Sequence, residues 1–160
     1  MNAPTYKIPE SVLVVIHTPA LEVLLIERAD RPGYWQSVTG AKDRVDEPLV
    51  ETCVREVAEE TGIEIGAQGV PLSALRDWQI KNEYELYAVW RARYAPGVTR
   101  NTEHVFGLTV PAGIAVTLNP REHLQHQWLP YQAAAARCFS PSNSAAILQL
   151  PRFAPPGAAR

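Results

Sequence analysis

Glu56, Glu59 and Glu60 stand at i, i+3 and i+4 in a segment of helical period, so three carboxylates share one side of a helix. Two carboxylates about 5 Å apart at an effective dielectric near 20 repel by roughly 3 kcal/mol. Arg55, flanked by Glu51 and Glu59 at four-residue spacing, supplies one guanidinium and leaves the cluster acidic. A hard divalent cation with oxygen ligands offsets that repulsion, and magnesium is the usual occupant of such a site. On these residues alone, a solvated Glu-rich helix face is the plain alternative.

The helix that carries them is read over "DEPLVETCVREVAEETG", Asp46 to Gly62. Val50, Cys53, Val54, Val57 and Thr61 recur on one stripe, which is expected to face the core opposite the carboxylates. Pro48 suits the first turn, Asp46 or Glu47 the free N–H groups, and Gly62 a left-handed C-terminal cap. Strands are expected at Ser11 to His17, Val23 to Arg28 and Trp35 to Thr39. Further strands are read at Leu75 to Ile80, Glu85 to Arg93, Glu103 to Val110, Ile114 to Leu118 and His126 to Leu129. "YQAAAARCF" and "NSAAILQL" read as helices. Strands around one strong internal helix, with a terminal helical pair, indicate an α+β fold. One domain is expected over 1–150, followed by a Pro-rich tail over 151–160 without fixed structure.

The bulk numbers restrict the function. With 160 residues and 46% hydrophobic composition the chain can bury a sizeable core. A formal charge of -2 gives no basis for binding nucleic acid by bulk electrostatics. No apolar run reaches membrane-spanning length, and the N-terminus lacks the regions of a secretory signal. The 2 cysteines, Cys53 and Cys138, form no metal or disulfide pattern, which suits the cytoplasm.

Gly40 ends a strand, a short loop follows, and Arg-Glu-x-x-Glu-Glu-x-Gly closes the helix. This order resembles the box of the Nudix hydrolases. Glu47, the seven residues "PLVETCV" and then "REVAEETGI" match at every specified position. Upstream, "GAKDRVDE" puts six residues between Gly40 and Glu47 where the box has five, a one-residue insertion in the loop. The resemblance implies a mixed sheet sandwiched between helices (α/β/α) and metal-dependent hydrolysis of a phosphoanhydride. It implies Mg2+, with Mn2+ as a substitute, on Glu56, Glu59 and Glu60, with the Gly40 carbonyl as a further ligand. Glu47 and Arg55 then pair to hold the loop, and Glu56 takes part in catalysis. Many members add an acid on a loop before a late strand; "REHLQHQWL" resembles that region and makes Glu122 a ligand or general base. His123 and His126 are read as structural or surface residues.

Outside the box, "YKIPESVLVVI", "WQSVTG", "YAPGVTRNTE" and "EHLQHQWL" resemble the bacterial Nudix enzymes of folate synthesis that act on a pterin triphosphate. The implied reaction releases pyrophosphate from 7,8-dihydroneopterin triphosphate and leaves the monophosphate. A pterin needs paired donors and acceptors and a flat wall. Trp35 and Gln36 are candidates for wall and amide, Arg100, Asn101 and Glu103 for the ring's polar edge, and Lys7 and Arg28 for the phosphates. A nucleoside triphosphate pyrophosphatase acting on dATP or damaged nucleotides stays open, as does an inactive Nudix-fold binding module.

Overall fold

The computed structural model describes residues 5–67 and 69–154. Its strands are β1 (Glu10–His17), β2 (Glu22–Arg28), β3 (Trp35–Gln36), β4 (Val38–Ala41), β5 (Leu75–Glu85), β6 (Arg100–Thr109) and β7 (His123–Pro130). The helices are α1 (Leu49–Thr61), α2 (Tyr131–Arg137), α3 (Pro141–Leu148) and α4 (Leu150–Phe153). The strands form one mixed sheet in which β3, β2, β1, β6 and β5 lie in that order, with β4 added to β1 and β7 to β2. β1 and β6 are parallel, from Glu10 opposite Thr102 to His17 opposite Thr109.

The unbroken apolar run in β1 follows from this layering, because the sheet is covered on both faces. Val12, Val14 and Ile16 join Leu24, Ile26 and Phe106 beneath α1, where Cys53 and Val57 are fully buried. Leu13 and Val15 point the other way, with Val23, Leu25 and Trp35, toward Ala134, Ala135 and Ile147 of α2 and α3. The result is the expected α/β/α sandwich. Among the described residues no helix is long and apolar enough to cross a membrane.

Several expectations change. Trp35 to Thr39 is split into β3 and β4 at Ser37, whose N–H donates to Asn143 Oδ1 at 2.9 Å instead of to a strand. Glu85 to Arg93 is not a strand. Its partner β6 begins at Arg100, so beyond Glu85 the chain leaves the sheet and winds into a 3-10 turn over Ala88–Arg93. Ile114 to Leu118 lies outside any strand, because its apolar residues pack under the end of α1, where Thr117 N–H donates to the Thr61 carbonyl at 2.8 Å. Val50 is 43% exposed, and Thr52 takes a place on the buried face of α1 instead. Pro48 is the N-cap residue and, among the described residues, no side chain caps α1, since Glu47 is turned toward Arg55; Gly62 does take the left-handed cap, with φ of 73°. Part of the tail is ordered, as α4 stacks Phe153 on Trp78 with centroids 4.7 Å apart. Residues 155–160 lie outside the described residues, so the expectation for them does too.

Candidate active site

Three elements meet beside Gly40: β4, the face of α1 that carries Glu56 and Glu60, and the turn that enters β7. β4 is fixed by pairing with β1, with Gly40 opposite Val12. A Cβ at Gly40 would run into the Glu56 carboxyl carbon, so only glycine lets that side chain lie against the strand. Arg55 ties the loop between β4 and α1 to the helix. Its Nη2 donates to Glu47 Oε1 at 2.9 Å and to the Ala41 carbonyl at 3.0 Å, its Nε lies 3.0 Å from Asp43 Oδ2, and its Nη1 donates to Glu56 Oε1 at 2.7 Å. Glu47 is buried at 4% exposure and also accepts from the Thr52 hydroxyl and the Asp43 N–H. Arg55 first, then these hydrogen bonds, hold its carboxyl down at about 2.

Glu60 is the opposite case. It is 4% exposed, its Oε2 has no hydrogen-bond partner among the described residues, and its Oε1 lies 3.5 Å from His123 Nε2. Burial, and then the charge of Glu56, raise its carboxyl well above the usual range. Glu56 is raised by burial too, against the pull of Arg55. Burial lowers His123, which therefore offers Glu60 no full positive charge near neutral pH. The helix is thus rotated from its expected setting: Glu60 faces the sheet rather than solvent. Glu59, with its side chain 57% exposed, does not line the cleft, and its Oε2 lies 3.7 Å from Arg55 Nη1.

As the side chains stand, no three His, Cys, Asp or Glu groups among the described residues are gathered closely enough to ligate one ion. The donor set still suits a hard cation. Glu56, Glu60 and Glu122 line one cleft of about 680 Å³ with Gly40, all offering oxygen, and the orphaned Glu60 Oε2 is an acceptor short of a partner. Lys7, Arg28 and Arg121 border the same cleft. Arg28 spends Nε and Nη2 on Asp30, at 2.8 and 2.7 Å, and directs Nη1 to Gln36 Oε1 at 3.4 Å.

Lys7, Arg28, Gln36, Thr39 and Gly40 also line a second cleft of about 640 Å³, so the two are continuous. This end is built on β5 and β6, whose register sets Asn82 opposite Glu103 and Tyr84 opposite Asn101. Asn101, 3% exposed, donates to Ser11 Oγ at 2.8 Å and to the Tyr84 hydroxyl at 3.0 Å. Tyr87, Trp90, Tyr94 and Phe139 supply aromatic surface. Two of the expected substrate-binding residues are absent from both ends. Trp35 is 5% exposed in the apolar layer under α2, with the Arg137 guanidinium 4.9 Å over its ring, because β3 turns it away from the cleft. Arg100 begins β6 on its solvent side, where it is exposed and lines neither end. Sequence reasoning missed Tyr84 and Asn82; β5 alternates, so pairing it with "RNTE" would have placed them beside Asn101 and Glu103. Tyr87, Trp90 and Phe139 carried no such signal, since they come from turns.

A model described as "NUDIX domain" matches residues 7–150. The chain is 42% identical to dihydroneopterin triphosphate diphosphatase of Escherichia coli (strain K12) over 150 residues, 93% of this chain and 96% of that one. It is 36% identical to the Haemophilus influenzae protein of the same name over 143 residues, 89% of this chain and 87% of that one. The solved structure of the E. coli dihydroneopterin triphosphate pyrophosphohydrolase is similar with a TM-score of 0.79, at 42% identity, covering 91% of this chain and 97% of that one. The sheet, the helix that closes the box and the sequence relationships agree, and the chain belongs to the Nudix hydrolase family.

Proposed function

We propose that the chain hydrolyses 7,8-dihydroneopterin triphosphate to dihydroneopterin monophosphate and pyrophosphate, with Mg2+ as the metal and Mn2+ as a substitute. The observation that carries this reading is the continuity of the cleft, from an oxygen-rich acidic end to an amide, hydroxyl and aromatic end. A triphosphate on a flat polar ring has those two demands at its two ends. The names of the relatives support the same substrate.

Glu56 and Glu60, with the Gly40 carbonyl, are the groups that would hold metal. When bound, metal neutralises phosphate charge and makes bound water a better nucleophile. The remaining work falls to side chains. Arg55 and Glu47 hold the Gly40 strand against α1, and Arg55 fixes one oxygen of Glu56. Lys7 and Arg28, at the junction of the two ends, bind the phosphate chain. Glu122 is exposed beside the acidic end, free to take the proton of the attacking water. Gln36, Asn101 and Glu103 face the ring. Glu59 is left as an outer carboxylate that steadies Arg55.

The test compares pyrophosphate release from dihydroneopterin triphosphate and from dATP in Mg2+. The pterin substrate is expected to have the higher kcat/KM. Turnover of dATP at an equal or greater rate would make the chain a nucleotide pyrophosphatase, and release from neither would make it a binding module.

A further inference from the structure

The ring end of the cleft holds a carboxyl that the hydrolytic chemistry does not use. Glu103 sits on β6 at 5% exposure. Its side-chain partners are neutral and long: Asn82 Nδ2 and Ser142 Oγ, each 3.4 Å from Oε1. Both fall on the same oxygen. Oε2 receives no hydrogen bond from the described residues, and the side chain lines the cleft rather than the closed core. No salt bridge reaches it among the described residues, although the chain pairs another buried carboxyl, Glu47, with an arginine. A buried carboxyl with so little compensation is costly for the empty protein. That cost is explained if a ligand completes the hydrogen bonds.

A carboxylate offers two parallel acceptors, and the ligand edge that fits it carries two parallel N–H donors. In a pterin, N3–H and the 2-amino group form such an edge, at the end of the molecule remote from the triphosphate tail. We infer that Glu103 is the specificity-determining residue for the ring, accepting hydrogen bonds from N3–H and the 2-amino group. The inference rests on the pterin triphosphate reading of the site. Neighbouring groups fit the assignment: Asn101 is committed to Ser11 and Tyr84, and Asn143 to Ser37, so they shape the pocket and leave the edge to Glu103. Burial raises the Glu103 carboxyl, and two donors from a ring would favour its ionised form again.

The experiment pairs the natural substrate with its 2-oxo, lumazine-type analogue, in which a carbonyl replaces the 2-amino donor and faces the carboxylate. Wild type and Glu103→Gln are assayed for pyrophosphate release in Mg2+, with thermal melting to confirm that the variant folds. Wild type is expected to turn over the analogue with kcat/KM lower by about tenfold or more, because a site built around N–H donors rejects a ligand lacking them. Glu103→Gln, which keeps shape but loses one acceptor, is expected to bring the two substrates within about threefold, mainly through KM. A variant that preserves the wild-type ratio, or a wild type indifferent to the 2-amino group, overturns the inference. A second measurement follows quenching of neopterin and lumazine fluorescence by both proteins without metal or phosphate. Should triphosphate hydrolysis fail, the hydrolase reading falls alone, and this ring-binding difference still decides for or against Glu103.

Discussion

Glu60 and Glu103 are both buried carboxyls, 4% and 5% exposed, but they keep opposite company. Glu60 faces Glu56 and Glu122, and its difficulty is too much negative charge in one place. Glu103 faces an amide and a hydroxyl, and its difficulty is too few donors. The first is relieved by a cation and the second by a neutral ligand edge. One cleft thus has an end that demands charge and an end that demands hydrogen bonds. Damage at the first should affect every substrate alike, and damage at the second should discriminate between rings.

The largest effect is expected at Glu60. Glu60→Gln should lower kcat on dihydroneopterin triphosphate and on dATP together, by on the order of 10³-fold. In metal-free buffer the same variant should melt at the wild-type temperature or above it, since it removes a buried like-charge contact. A large drop in that melting temperature would mean that Glu60 supports the fold and would erase its contrast with Glu103.

Arg55→Ala comes next. It leaves Glu47 buried with a hydroxyl and one N–H and frees the loop beside Gly40, at a cost of about 3 kcal/mol in denaturant titration. It should also add an acid dependence. Because Glu47 is held below its ordinary value of 4.5, at about 2, its contribution is present above pH 4.5 and lost as pH falls toward 2. Wild type should therefore lose stability across that window more steeply than Arg55→Ala. Parallel acid limbs would show that the pair contributes little.

The legible part of the molecule was local in sequence. The box gives Glu47, Arg55, Glu56 and Glu60 from spacings along one helix and its lead-in loop, and β1 and β2 stand out because an apolar run is the mark of a strand covered on both faces. The rotation of α1 was not legible. Val50 and Val57 are both valines on the read stripe, yet one is 43% and the other 0% exposed, since in the first turn Leu49 and Thr52 take the inward positions instead of Val50. The ring end was less legible still. It depends on the register of β5 with β6 and on which side of β3 the Trp35 ring falls, both non-local facts. Segments such as Ile114 to Leu118 carry a strand's apolar pattern but use it to pack beneath a helix end.

The smallest effects divide the segment Arg100 to Glu103, whose polar residues look equivalent on paper. Asn101 holds the Ser11 and Tyr84 hydroxyls in the wall of the ring end, whereas Arg100 points to solvent opposite Glu85. Asn101→Ala should raise KM for dihydroneopterin triphosphate by about fivefold, because losing one buried hydrogen-bonding partner costs about 1 kcal/mol. The KM for dATP should move less, and kcat for either should stay within about twofold, because the acidic end is untouched. Arg100→Ala should leave all of these constants within about twofold, as expected for an exposed side chain away from the cleft. Steady-state kinetics on both substrates with both variants checks the division. If Arg100→Ala raises KM for the pterin as much as Asn101→Ala does, the ring end extends past the cleft walls to the start of β6. If Asn101→Ala weakens both substrates equally, the wall supports the site as a whole, and discrimination between rings rests on Glu103 alone.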